Sequence, residues 1–259
     1  MAKQRRLGIG IDIGGTGIKG GLVDLDKGRL VGERCKVKTP SGAPIEPVLE
    51  AVTTVLDEIR AQKKAPAEPV PIGLCMPSIV VHGESRTAAN IDAEWIGAPA
   101  RTLFSTTIGQ PVSLVNDADA AGIGEVRYGA AKGDTGSVMV ITLGTGIGSA
   151  LIHGGHLFPN TELGHLELDG HPDYERYASA RAMEREGLDY PEWCKRLTPY
   201  FRKLERLFAP DEFIISGGVS KRADEFLPLI DIDTPILAAK LKNNAGIVGA
   251  AALGADGWD

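Results

Sequence analysis

Aromatic residues are scarce, at 5% of the chain, and cysteine is scarcer, with three in 259 residues. Cys35, Cys75 and Cys194 stand far apart with no CxxC spacing, which excludes a disulfide framework and a zinc knuckle and suits a reducing cytoplasm. Positive charge is not in excess either. The formal charge is −6, so the broad positive field that gathers nucleic acid or a membrane surface is missing, and any polyanion site must be local. No run approaches the ~18 apolar residues that span a bilayer. The apolar stretch after the basic residues 1–6 is interrupted early by Asp12, which argues against a secretory signal. Glycine, by contrast, is abundant at 33 residues, and 43% of the chain is apolar, enough to fill a core built on tight turns and close backbone contacts.

The glycines cluster. Residues 7–13 alternate β-branched residues with Gly and Asp, and Gly14-Gly15-Thr16-Gly17 then leads into the apolar stretch Ile18–Val23. This pattern predicts a β-hairpin with a wide glycine turn. A second hairpin is predicted over Ser137–His153, and Ile11–Val23 matches Ile141–Ile152 once one glycine is skipped, with apolar residues in register on both sides. Such an internal repeat favours a duplicated domain over chance likeness of two glycine turns.

Around the first hairpin the sequence predicts a strand across Arg29–Lys38, a helix over Pro44–Gln62 with Val48, Val52, Val55 and Ile59 in helical spacing, and a strand at Ile72–Cys75. The second unit opens with a strand at Val112–Val115 and a helix from Asp117 to Tyr128. Beyond its hairpin come a helical region over Glu175–Phe208, interrupted at Pro191 and Pro199, and a strand at Phe213–Ser216. The expectation is an α/β protein with a small lobe over 1–112 and a larger one over 113–242, the Ala/Gly-rich helix at 243–255 packing back onto the first.

Gly15–Gly20 satisfies GxGxxG, yet Gly21-Leu22-Val23 continues as strand where the dinucleotide fingerprint requires a helix, and no GxxxxGK[ST] loop occurs. Phosphate would instead be held by the hairpins. Successive backbone N–H groups at Gly14, Gly15, Gly144 and Gly146 point at one anion, and Thr16 and Thr145 add hydroxyl donors. Asp12 and Lys19 beside the first turn are the charges that Mg²⁺ and phosphate chemistry use. From the residues alone, Asp117 reads equally as a reactive carboxylate or as a helix N-cap, with Asp119 its nearest rival. Glu162 and Glu175 read as solvated loop charges and His165 as a structural histidine.

Together, Asp12-Ile13-Gly14-Gly15-Thr16 with Lys19, Asn116-Asp117, Leu143–Gly148, Glu162-Leu163-Gly164-His165 and Ser216-Gly217-Gly218 resemble the ROK family of sugar kinases and repressors, over nearly the whole chain. The wording around them is similar to the branch that phosphorylates glucose from inorganic polyphosphate and often from ATP, some members accepting mannose. The resemblance implies a duplicated ribonuclease H-like (actin-like ATPase) fold, two lobes with a cleft between them, Mg²⁺ as cofactor with Asp12 near it, and a homodimer. It implies that Asp117 is the general base toward the sugar 6-hydroxyl and that Asn90, Asn116, Asp117, Glu162, His165 and Glu175 hold the sugar. Gly217 and Gly218 would face the nucleotide. ROK kinases commonly carry a cysteine-rich zinc loop after the Gly-His pair, but residues 166–174 read LELDGHPDY. The spacing of His153, His156, His165 and His171 fits no common zinc pattern, so no structural zinc is expected. Two alternatives stay open: an ATP-only glucokinase, and a sugar-sensing repressor without its DNA-binding domain, the latter disfavoured by the acidic charge and by the six residues before Leu7.

Overall fold

The computed structural model describes residues 5–258. The chain divides into two compact units, Met1–Gly124 with Asn244–Asp259, and Glu125–Asn243.

In the first unit, β1 (Leu7–Gly14) and β2 (Gly17–Asp24) form an antiparallel hairpin with Gly14 opposite Gly17, so the turn is two residues and tighter than the wide turn expected. The strand expected across 29–38 is two short ones, β3 (Arg29–Leu30) and β4 (Cys35–Val37), both on β2. Between them the chain bends at Gly32, whose φ of 97° lies in the left-handed region that glycine tolerates. Helix α1 (Ile45–Arg60) buries Val48, Leu49, Val52, Val55, Leu56 and Ile59 along one stripe. Strand β5 (Ile72–Met76) runs parallel to β1. A small hairpin of β6 (Val80–Val81) and β7 (Glu84–Ser85) follows, then α2 (Ala100–Ile108) and β8 (Val112–Asn116), parallel to β5. The order is β3-β2-β1-β5-β8. Because β8 pairs into this sheet, the first unit runs past the 112/113 boundary expected from sequence and ends within α3 (Asp117–Tyr128), at Gly124/Glu125.

The second unit repeats the plan. Strands β9 (Ser137–Leu143), β10 (Ile147–His153) and β11 (His156–Phe158) are antiparallel neighbours. Helices α4 (Glu175–Ala178), α5 (Ala180–Glu186) and α6 (Tyr190–Phe208) lead to β12 (Glu212–Ser216), then α7 (Ala223–Phe226) and β13 (Ile236–Ala238). The order β11-β10-β9-β12-β13 is that of the first sheet, with two parallel strands beside a three-stranded meander. The fold is thus a duplicated ribonuclease H-like, actin-like α/β fold. Neither proline breaks α6: Pro191 sits in its first turn beside the Asp189–Glu192 capping box, and Pro199 lies inside the helix. Burial of Trp193, Cys194, Leu197, Tyr200, Phe201 and Leu204 outweighs the roughly 3 kcal/mol an internal proline costs. Glu125, fully buried where this unit begins, accepts hydrogen bonds from the backbone of Ala130 (2.8 Å), Lys240 (3.0 Å) and Leu241 (2.7 Å).

After Asn243 the chain returns to the first unit as α8 (Ala245–Asp256), packed on β1, β5 and β8. A methyl group on Gly10 would stand 1.8 Å from the Ile247 carbonyl oxygen, and one on Gly73 1.9 Å from that of Ala250. Both contacts are with backbone, which cannot step aside. No helix among the described residues is long and apolar enough to cross a membrane.

Gly73→Ala is therefore expected to cost about 3 kcal/mol or more by overpacking, against about 1 kcal/mol for Gly97→Ala, where a left-handed residue faces open space. Urea unfolding of the two variants checks this; equal losses would mean that the helix is free to shift away from the sheet.

Candidate active site

The candidate residues fall into one group in each unit. In the first, the strand register sets Lys19 of β2 and Cys75 of β5 on either side of Asp12. Lys19 Nζ lies 3.4 Å from Asp12 Oδ2, both side chains being partly buried. Burial raises the Asp12 pKa, while the charges of Lys19 and Arg34 pull it back. The Cys75 Sγ lies 4.0 Å from Asp12 Oδ1 and 3.8 Å from the Gly246 carbonyl oxygen. Burial holds its thiol well above the usual range, and the charges of Asp12 and Asp117 push it further, so it is a neutral neighbour of two carboxylates.

Asp117 opens α3 at the end of β8 and is partly buried. The helix cap weighed for it belongs to Asn116. Asn116 Oδ1 accepts from the N–H of Ala118 (2.8 Å) and Asp119 (3.2 Å), and its Nδ2 donates to the Ser78 carbonyl (3.1 Å). Buried and so engaged, Asn116 fixes the start of the helix that carries Asp117. Asp117 Oδ1 accepts from the adjacent Ala118 N–H at 2.8 Å, while the Asp119 N–H goes to Asn116. Asp119, two residues beyond Asp117, is fully buried. Asn90 is exposed with a left-handed φ of 63°, and a methyl group on Gly15 would stand 3.2 Å from its Cβ. The first turn therefore needs glycine for room: none of Gly14, Gly15 and Gly17 has a left-handed φ.

In the second unit the β9–β10 turn closes with the Gly144 N–H donating to the Gly146 carbonyl at 3.0 Å, and Thr145 is exposed at its tip. Glu175, in the first turn of α4, accepts from the Ile147 N–H at 2.9 Å. Its carboxylate would stand 2.2 Å from a methyl group on Gly146. Gly217, with φ of 90°, presses on the Leu143 carbonyl at the end of β9, and Gly218 beside it is exposed. Gly164 presses on the Ile147 carbonyl in the same way, bringing the Leu163–His165 turn against β10. The turn glycines, Glu162, His165, Glu175, Gly217 and Gly218 thus gather about the end of β9.

His165 is fixed by a residue that sequence reasoning passed over. Its Nδ1 lies 3.0 Å from Asp173 Oδ1, and Arg176 Nε lies 2.8 Å from Asp173 Oδ2. The signal was present in Asp169-Gly170: both residues have positive φ, 51° and 80°, and Leu168 and His171 exchange backbone hydrogen bonds across them. An Asp-Gly pair is the strongest short hairpin signal, and this turn folds Asp173 back onto His165. The loop is further held by His171 stacked on Tyr177 with ring centroids 3.7 Å apart, and by buried Tyr174, whose hydroxyl donates to the Arg196 carbonyl. Burial lowers the His165 pKa, but the Asp173 hydrogen bond and the charges of Glu175, Asp173 and Glu162 outweigh it and raise it overall. Burial raises the Glu162 pKa, with His165 opposing and Glu175 adding. Ligand atoms of His165, Asp173 and Glu175 all lie within 4.8 Å of one another, a spacing that suits a metal ion. Each of the three groups is already engaged, with Asp173, Arg176 and Ile147 respectively in addition to any neighbour they share.

Residues 8–198 match the model of the ROK family. The chain is 47% identical to the polyphosphate glucokinase of Mycobacterium tuberculosis (strain CDC 1551 / Oshkosh), over 96% of this chain and 92% of that protein. Among solved structures it is similar to an inorganic polyphosphate/ATP-glucomannokinase from Arthrobacter sp. strain KM, with TM-score 0.93, 54% identity and coverage of 97% of this chain and 99% of that one. A ROK family glucokinase from Streptomyces griseus, in complex with glucose and AMPPNP, gives TM-score 0.80 and 29% identity over 95% of this chain and 98% of that one.

Asp173→Asn should lower the His165 pKa, because the amide keeps the contact and removes the charge. The imidazole titration followed by NMR checks this, and an unmoved midpoint would overturn the pairing. A raised folded-state pKa contributes stability that is complete below the unfolded value of about 6.5 and is lost as pH rises through the folded one. The stability gap between wild type and Asp173→Asn should narrow in that direction.

Proposed function

The chain belongs to the ROK family, and from that premise we propose that it transfers a phosphoryl group from inorganic polyphosphate, and from ATP, to the 6-hydroxyl of glucose, with mannose a second acceptor. The observation that carries this reading is the likeness over almost the full chain to a polyphosphate glucokinase and to a polyphosphate/ATP-glucomannokinase. The enzyme acts in the cytoplasm as a homodimer in this reading.

Asp117 is the proposed general base. Its oxygens accept the hydrogen bond of the 6-hydroxyl and take the proton as the O6–phosphorus bond forms and the bond to the leaving phosphate breaks. Two features support the role: Asn116 supplies the main cap of α3, and Asp117 opens the helix within range of the Cys75 thiol that Asp12 also borders. Lys19 and the N–H groups of Gly14, Gly15 and Gly146, with the Thr16 and Thr145 hydroxyls, are the proposed donors to phosphate oxygens, which gain charge in the transition state, whereas the Gly144 N–H expected among them is spent on the Gly146 carbonyl and shapes the turn instead. Gly217 and Gly218 would line the nucleotide when ATP is the donor. Asn90, Glu162, His165 and Glu175 would hold the sugar hydroxyls, since carboxylates and amides share paired hydrogen bonds with adjacent hydroxyls. Asn116 contributes by fixing Asp117, beyond the sugar contact the resemblance implies.

Mg²⁺ is the implied cofactor. A partly buried Asp12 whose pKa is raised by burial despite Lys19 is a hard oxygen ligand with charge still to be balanced, which fits this ion. Asp12 would hold it, and when bound it neutralises charge on the phosphates. The proposal includes no structural zinc.

Asp117→Asn should lower turnover on glucose by about a hundredfold or more while glucose affinity stays within about tenfold, the pattern of a lost base. Asp119→Asn is the comparison, with melting temperature recorded because the site is fully buried. A folded Asp119→Asn that loses turnover while Asp117→Asn keeps it would move the base to Asp119. Initial rates with glucose or mannose against polyphosphate or ATP, each with Mg²⁺, test the donor and acceptor assignments.

A further inference from the structure

We propose that the exposed cationic face of β4 is a rail for the tail of a polyphosphate donor, holding the chain behind the phosphoryl group that is transferred. This rests on the polyphosphate reading above and names a path for that donor.

Exposure alternates along this stretch: Arg34, Lys36 and Lys38 are exposed, while Cys35 and Thr39 are buried and Val37 is half-buried. Alternate residues of an extended chain share one face, about 7 Å apart. The apolar side packs into the core of the first unit, with Cys35 and Val37 beside α1 residues, so the basic side faces the other way. Register then ties the rail to the reactive end of the sheet. Asp12 lies opposite Lys19, and Lys19 lies opposite Lys36, so the three form one row across β1, β2 and β4.

The contacts agree. A methyl group on Gly17, the residue that ends the first turn, would stand 2.7 Å from Lys36 Cε and 3.6 Å from its Nζ, so the lysine lies along the turn. The Thr39 hydroxyl donates to the Gly14 carbonyl, tying the far end of the stretch to the same turn. Arg34 Nη1 donates to Asn244 Oδ1 at 3.3 Å, and its charge bears on Asp12.

Charge supplies the chemistry. Lys19 is paired with Asp12, but Lys36 faces Lys19, and neither the Lys36 nor the Lys38 side chain has a hydrogen-bond or ion-pair partner among the described residues. Like charges opposite one another on neighbouring strands are unfavourable. In a chain of net charge −6 they make a local positive strip beginning at the phosphate turn. A polyphosphate tail presents one anionic group after another along such a strip. ATP presents an uncharged adenosine beyond its short phosphate chain and gains little from it. The rail is thus a specificity determinant for donor length, acting on donor affinity.

The test is the double variant Lys36→Gln/Lys38→Gln of the full chain. Calorimetry measures binding of long-chain polyphosphate at several salt concentrations, and initial rates are taken with long-chain polyphosphate, tripolyphosphate and ATP. The variant should raise KM for the long chain about tenfold with kcat little changed, and reduce the salt slope of binding by about one per lysine, since each lysine displaces counterions from the polyanion. KM for ATP should stay within about twofold. An unchanged long-chain KM and salt slope, or an equal loss with ATP and tripolyphosphate, would overturn the rail. Wild type that binds long-chain polyphosphate, more tightly than the variant, but forms no sugar phosphate from it leaves the rail standing and faults the donor assignment. Wild type that turns polyphosphate over while the variant matches it faults the rail alone, and wild type that neither binds nor uses it faults both.

Discussion

Where α8 crosses β1 and β5, carbonyl oxygens meet glycine with no side chain between them. The Ile247 oxygen fills the place of a methyl group on Gly10, the Ala250 oxygen that on Gly73, and Gly249 is pressed in the same way against the Ala120 carbonyl of α3. One helix is therefore locked at once to the strand that bears Asp12, the strand that bears Cys75 and the helix that Asp117 opens. Backbone contacts of this kind admit almost no sliding, because the interior is close-packed and there is no rotamer to change. They hold in place the arrangement of Asp12, Cys75 and Asp117 that the strand register sets. The 12-residue helix is itself almost wholly Ala, Gly and short aliphatics, which is why it can approach so closely.

The second unit uses the same device at a different place. Gly217 against Leu143, Gly164 against Ile147 and Gly146 against the Glu175 carboxylate draw three loops onto the two ends of one turn. Glycine in these three positions is required by neighbours more than by its own torsions, since Gly146 and Gly164 have no left-handed φ and Gly217 alone does. A low aromatic content is no handicap here: Trp193, Tyr200, Phe201 and Phe213 are concentrated in the core of this unit, while the first core rests mainly on Ile, Leu and Val.

Much of this was legible in the sequence because it depends on local pattern. Both hairpins, α1, α3 and β5 follow from apolar periodicity and glycine placement, and the repeat between the hairpins foretold two sheets of one topology. What could not be read depended on tertiary context. Pro199 looks like a break until the burial around it is known. The edge strands β11 and β13 are three residues each, too short for a period-two signal. Whether Asp117 caps its helix could not be read, because the side chains of Asn116 and Asp117 can both reach N–H groups of the first helical turn; in the fold Asn116 takes the Asp119 N–H and the two share that of Ala118.

The buried Glu125 carries a consequence of another order. It is the first residue of the second unit, and its carboxylate grips the backbone of Lys240 and Leu241, two residues short of that unit's last, Asn243. Entry and exit of the polypeptide are thus stitched together by one side chain, so that residues 125–243 form a loop closed upon itself and set into an otherwise continuous host. Segments whose ends lie together are the ones that genes insert, exchange and permute without unravelling either part. In this chain the second sheet can be regarded as a cassette whose clasp is Glu125.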